Sequence, residues 1–279
     1  MTQDDPSLDR LRRDIDRIDD RIHDLIMERA ALVERIAAAK AEDGVALRPG
    51  REATVVRRLA ARHSGPFPVA ALVRIWREVM GALVGLQRPF SIACYQPERG
   101  AGYIELARNH FGVSWPMTVQ LSPGQVVRLV ADGQASVGVV PVPAASEAEP
   151  WWLSLTSDAE NLPRVVARLP FLASDRPEPL EALVIACRPH DATGDDRTLV
   201  AIESEPDISR DRMRALLAAA GLEATVQVAT HRAETFWLHL VEVEGHLTAD
   251  DARLAQLAAG GDPVHQTRVI GGYAVPLQP

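Results

Sequence analysis

Lys40 is the only lysine in a chain with 30 basic side chains. Arginine serves everywhere else, so position 40 singles out the compact, point-like ammonium over the planar guanidinium fork. Arg29 lies eleven residues earlier. In a helix at ~100° and ~1.5 Å per residue the two return to nearly one azimuth, about 16 Å apart along the axis. Both can face one cavity. Arg12 would lie about 42 Å from Lys40 on the same helix and roughly a quarter-turn away. An antiparallel second copy of the helix would bring it to the other two. Cations on an apolar stripe need a partner or an anionic ligand, because an unpaired buried charge is costly. Helical pairing with Asp24, Glu28 or Glu34 is the alternative for some of these arginines.

The element that must carry them spans residues 8–40. Leu8, Leu11, Ile15, Ile18, Ile22, Leu25, Ile26, Leu32, Val33 and Ile36 recur at the three-four spacing of one buried helical stripe. Such a helix would be on the order of 50 Å long, which suits packing against a partner along its length. Gly44 and Pro49 end it. A second helix is expected over 51–63 and a third over 69–87, separated by Ser64-Gly65-Pro66-Phe67-Pro68.

This three-helix segment resembles the all-helical, intertwined-dimer chorismate mutases. The likeness rests on 11–19 (LRRDIDRID), Met27-Glu28-Arg29 leading to Lys40, Arg51-Glu52 at the start of the second helix, and Trp76-Arg77-Glu78 followed by Gln87. The resemblance implies rearrangement of chorismate to prephenate, by holding the reactive conformer and stabilising charge on the breaking ether oxygen. It also implies residue roles. Arg12 of a second copy and Arg29 would hold the substrate carboxylates through paired hydrogen bonds. Lys40 and Gln87 would flank the ether oxygen, Arg51 would help position the substrate, and Glu52 would accept from its hydroxyl. Ile36, Val56 and Leu83 would wall the ring. Arg48 stands where relatives often have an acid, and Leu83 where they often have a small hydroxyl residue. Both departures bear on binding strength and substrate choice, since an isochorismate pyruvate lyase uses the same fold.

Past Gln87 the pattern changes to alternating strands and helices: strand 90–95, helix 102–111, strand 117–121, helix 125–131 and strand 136–142. This order predicts a small α/β region with a parallel sheet. It resembles the first lobe of prephenate dehydratase through Ala107-Arg108-Asn109-His110-Phe111-Gly112 and Gly138-Val139-Val140-Pro141. Dehydratases continue with Ile-Glu-Asn-Ser, whereas this chain has Val142-Pro143-Ala144-Ala145, and Thr267-Arg268-Val269 is in a different setting from their Thr-Arg-Phe. Dehydration needs a positioned acid, so the lobe reads as degenerate or repurposed. Residues 199–203, 210–220, 224–229, 236–243, 249–258 and 267–276 read as βαββαβ, a ferredoxin-like order that resembles ACT regulatory domains. The resemblance implies a possible amino-acid effector, phenylalanine or tyrosine. The Gly-Ala-Leu of aromatic-sensing versions is absent, with Ile208-Ser209-Arg210 in its place.

The expected organisation is therefore a helical region 1–88, a dehydratase-like lobe 89–195 and an ACT-like region 196–279, each with its own core. Residues 1–90 hold 16 basic and 14 acidic side chains and the rest 14 and 24, so no extended basic patch points to nucleic acid. No apolar run of ~18 residues suggests a membrane span, and no secretory signal is evident, so a cytoplasmic location is expected. Cys94 and Cys187 sit in apolar, strand-like runs and read as buried thiols. The spacing of His231, His239 and His246 matches no metal pattern, and Gly260-Gly261 and Gly271-Gly272 look like a turn and a strand kink, so neither cofactor nor metal is implied. Three functional readings follow: an active mutase homodimer with its site shared between subunits, a bifunctional mutase/dehydratase, and a non-catalytic or partner-dependent dimer that binds a ligand.

Overall fold

A computed structural model describes residues 6–39, 47–144, 150–157, 159, 161–173, 177, 179–259 and 263–278. The chain opens with α1 (Pro6–Ala39), α2 (Pro49–Ala61) and α3 (Val69–Gly85). The expected three helices are thus present. Pro49 starts α2 at a position whose N–H would have no helical acceptor, and its fixed φ suits the first turn.

The rest is β1 (Ile92–Tyr95), α4 (Gly102–Phe111), β2 (Met117–Gln120), α5 (Pro123–Ala131), β3 (Val137–Pro141), a short 3-10 helix (Trp151–Thr156), β4 (Arg164–Leu169), β5 (Ala182–Ala186), β6 (Asp196–Ser204), α6 (Arg210–Ala219), β7 (Ala224–Arg232), β8 (Trp237–Glu244), α7 (Ala252–Ala259) and β9 (Val264–Ala274). All nine strands join one sheet in the order β2-β1-β3-β5-β4-β9-β6-β8-β7. β1 pairs in parallel with β2 and β3, as expected. The sheet is nevertheless mixed, because β5 runs antiparallel to both β3 and β4. β4 was not anticipated, and β5 only as the strand-like run that leads to Cys187. The short, continuous apolar run Ala182-Leu183-Val184-Ile185-Ala186 is that of a strand buried on both faces, and β4 has only Val165-Val166-Ala167 between Arg164 and Arg168, so neither shows an alternation to betray it.

Residues 196–274 follow the expected βαββαβ order, with β9-β6-β8-β7 as the ferredoxin-like arrangement. Ser209 caps α6 by accepting from the Arg212 N–H at 3.2 Å. This four-stranded part meets the first five strands where Val165 of β4 pairs in parallel with Gly271 of β9. Gly271 has φ +128°, and a Cβ there would collide with the Val165 backbone, so the kink predicted at Gly271-Gly272 is the seam of the sheet. Arg168 reinforces it, bonding Glu181 at 2.8 and 3.1 Å, Tyr273 Oη at 2.8 Å and Glu242 at 3.3 Å. The Tyr273 hydroxyl donates to Glu242.

The expectation of separate cores fails at both boundaries. Leu47 and Val84 share a core with Phe90, Ile92, Phe111, Val139 and Val184. Ala53, Val56, Val73 and Met80 pack with Phe171 and Ala274. Ala93, Val140 and Ile185 join Leu199, Leu240 and Ile270. Two short helices bury too little apolar surface to be stable alone, and here they use the sheet as their floor. A fourth core, including Ile202, Met213, Leu217 and Leu254, stays within the ferredoxin-like part.

Candidate active site

α1 stands apart from this packing. None of its described side chains is buried. Leu8, Leu11, Ile15, Ile18, Ile22, Leu25, Leu32 and Ile36 are each 48–60 % exposed. Among the described residues of the single chain, nothing covers an apolar stripe of this length.

Near the end of α1, Arg29 approaches the start of α2. One of its terminal nitrogens is buried with no hydrogen-bond partner. Burial lowers its pKa, an effect that Glu52 opposes and Arg51 reinforces. Glu52 is held by Arg77 of α3 at 2.9 Å, with side chains 13 % and 4 % exposed. Burial pushes the Glu52 carboxyl above the ordinary range, while Arg77, Arg188 and Arg29 pull it back, in that order of strength. Arg77 is shifted down by burial but starts so high that it stays charged at neutral pH. The group thus offers an orphaned guanidinium nitrogen beside a carboxylate enclosed by cations, a setting for an anionic ligand carrying a hydroxyl.

Arg29, Arg51 and Glu52 therefore come together as anticipated. Arg48 is exposed just before α2 and close enough to Arg188 for mutual repulsion. Gln87 follows α3, and its amide donates at 3.3 Å to the Leu83 carbonyl one turn back. Arg12 lies near the far end of α1, exposed and paired with Asp9 at 3.3 Å. Seventeen residues separate it from Arg29, about 25 Å of helix, so one chain does not unite them. Lys40 lies outside the described residues. Of the expected ring walls, Val56 is 1 % and Leu83 7 % exposed, and Val56 is spent on the core with Phe171, while Ile36 is 52 % exposed.

Two partners of Glu52 were missed. Arg77 interrupts the buried face Val73, Met80 and Val84 of α3, the same signal that marked Arg29, and could have been found. Its guanidinium also lies 5.1 Å over the Phe171 ring. Beneath it His110 is 7 % exposed, with its pKa held well below the usual range by burial and Arg77. Arg188 follows β5 more than 130 residues from Glu52, and no local pattern marks it. A cleft of about 630 Å³ lies alongside, lined by Arg88, Phe90, Asp132 and Ser136. It touches the site only through Leu47 and Arg188.

At the end of β3 the described residues Val142, Pro143 and Ala144 bring no polar side chain; 145–149 lie outside the described residues. Cys187 is exposed rather than buried, because β5 ends at Ala186 and the chain bends away. His239 is 2 % exposed on β8. Its Nδ1 receives the Gln227 amide at 2.9 Å, so Nε2 carries the proton and donates to Ser204 Oγ at 3.1 Å. Among the described residues no group of three His, Cys, Asp or Glu side chains could hold a metal, and no helix is long and apolar enough to cross a membrane.

Residues 11–88 match the model of the chorismate mutase type II family. A bifunctional chorismate mutase/prephenate dehydratase of Stutzerimonas stutzeri is 36 % identical over 143 residues, 49 % of this chain and 39 % of that protein. One from Pseudomonas aeruginosa is 33 % identical over 150 residues, 52 % of this chain and 41 % of that protein. The chain thus spans about two-fifths of the length of these relatives. The crystal structure of prephenate dehydratase from Streptococcus mutans aligns with 68 % of this chain and all of that one, at TM-score 0.48 and 16 % identity.

Proposed function

We propose that the chain is a chorismate mutase that converts chorismate to prephenate as a homodimer, with each site shared between subunits. The match of residues 11–88 to the mutase family model carries this reading. The Arg29–Arg51–Glu52 cluster and the uncovered stripe of α1 support it. No nucleophile or proton shuttle is required. Arg29 and Arg12 of the second copy clamp the two carboxylates and hold the ring and side chain in the reacting geometry. Lys40 and the Gln87 amide stabilise the charge that grows on the ether oxygen as its bond to carbon breaks. Glu52, enclosed by Arg77, Arg188 and Arg29, accepts from the substrate hydroxyl, and Arg51 and Arg48 add positive potential at the mouth.

The division at 88 and 195 gives the mutase its own segment. The dehydratase-like lobe has Val142-Pro143-Ala144-Ala145 where dehydratases have Ile-Glu-Asn-Ser and is read as inactive in dehydration, and the ferredoxin-like part is a candidate receiver of an amino-acid effector. The protein acts in the cytoplasm.

Mixing two inactive variants tests the shared site. Lys40→Ala and Arg12→Ala should each abolish turnover as homodimers. After joint unfolding and refolding, half the dimers are mixed and each regains one intact site, so about a quarter of wild-type activity should return. No recovery would refute the shared site, and near-normal rates in Lys40→Ala alone would refute the assignment of Lys40.

A further inference from the structure

We infer that the loop between β5 and β6 is part of the mutase site, with Arg188 as a positioning residue that fixes the start of α2 and the charge around Glu52. The inference rests on the mutase reading above and extends it to a part of the chain outside the family match.

The contacts are specific. Arg188 donates through one terminal nitrogen to the Leu47 carbonyl, immediately before Arg48 and α2, and through the other to Asp191 Oδ1 at 2.8 Å. Its side chain is 12 % exposed. Asp191 in turn packs against Gly50 so closely that a Cβ there would collide with it. About two turns further along α2, Arg57 grips the same loop through Thr193 Oγ1 at 2.8 Å and the Asp195 carbonyl at 2.7 Å, and reaches the Val275 carbonyl at 2.7 Å. Asp196 braces the loop by accepting from the Thr193 N–H and hydroxyl and the Gly194 N–H. Arg51 and Glu52 sit between these two grips.

Arg188 also acts on charge. The groups facing Glu52 are Arg77 from α3, Arg188 from the loop and Arg29 from α1, and Arg188 outranks Arg29 in opposing the upward push of burial on its pKa. A sheet whose dehydratase signature is gone would then be retained because it completes the floor and electrostatics of the helical site. A displaced α2 costs catalysis even when no side chain touching substrate has changed, since misplacement by about 1 Å can cost about a hundredfold.

The test uses the full chain and chorismate, with kcat and KM measured against pH for wild type, Arg188→Gln, Arg188→Lys and Arg57→Gln. Arg188→Gln is expected to lower kcat/KM about tenfold and to move the acid limb of its pH profile upward, because Glu52 loses a neighbouring cation and protonates at higher pH. Arg188→Lys should restore the position of that limb. Arg57→Gln should lower kcat/KM with the limb unmoved, because it loosens the loop without taking charge from Glu52. Wild-type kcat/KM and an unmoved limb in Arg188→Gln would overturn the inference while leaving the mutase reading intact. Should Arg188→Gln fail to fold, Arg57→Gln decides, and an unchanged kcat/KM there overturns it. Absence of turnover in wild type would overturn the mutase reading and this inference with it.

Discussion

The helical start and the nine-stranded sheet treat buried charge and apolar surface in opposite ways. In the sheet Arg168 is bonded to two carboxylates and a tyrosine, and Thr225 donates to Glu242 at 2.7 Å, so the network across the seam is closed on itself. In the helical part Arg29 keeps a buried nitrogen without a partner, and α1 leaves its apolar stripe open. A folded chain seldom leaves such features without use. On the reading proposed above, the difference separates surface finished by folding from surface that a ligand and a second copy would finish.

The largest break in this comparison is expected from putting charge on the open stripe. The double substitution Ile18→Asp/Ile22→Asp removes two side chains worth about 1.5–3 kcal/mol each on full burial and places carboxylates where a partner helix would pack. On the proposed dimer, sedimentation velocity should then show a monomer where the wild type is expected as a dimer, with turnover lost. A dimer that persists would mean that α1 is not the interface.

A smaller effect is expected at the one place where the helical part closes its own charge. Arg77→Ala leaves Glu52 buried without its main partner, a loss of about 3–5 kcal/mol, read from the urea midpoint. A change below about 1 kcal/mol would mean that Glu52 relaxes toward water and that its enclosure is not fixed.

The sheet should show the smallest and most gradual response, through acid. Burial holds both His190 and His239 down to about 4, helped by His246 at the first and Arg232 at the second. Their folded pKa lies below the unfolded value, so the stability they contribute is complete above about pH 6.5 and is lost as pH falls toward 4. Each should cost on the order of 1–2 kcal/mol by pH 5. Melting temperatures between pH 6.5 and 4 should fall less steeply in His239→Asn, and an identical slope would remove His239 from the account.

How much of this the sequence carried differs between the same two regions. The long helix declared itself through an apolar stripe interrupted by Arg29, because helical periodicity is local and little of α1 is packed against other elements. The βαββαβ order was also readable, with strand ends a few residues off where β6 and β9 extend past their apolar runs. β4 was not readable, and β5 only as a strand-like run before Cys187 with no place in the sheet, since strands buried on both faces lose their alternation. Arg77 carried a signal that was passed over, a cation on the buried face of α3. Arg188 carried none: its meaning arises only when β5 brings the loop to the start of α2. Gly271-Gly272 read as a kink, but the need for glycine lies in the close approach of β4 at Gly271 and of Arg197 and His190 at Gly272, which belongs to the fold and to no local pattern.

The measurement that bears most directly on the account is the fate of chorismate with the purified full chain, its products separated and identified over time. Prephenate formed in step with chorismate loss, with no phenylpyruvate, is the expected result. Chorismate left unconsumed would contradict the assignment of the helical site, and phenylpyruvate would contradict the inactivity of the dehydratase-like lobe.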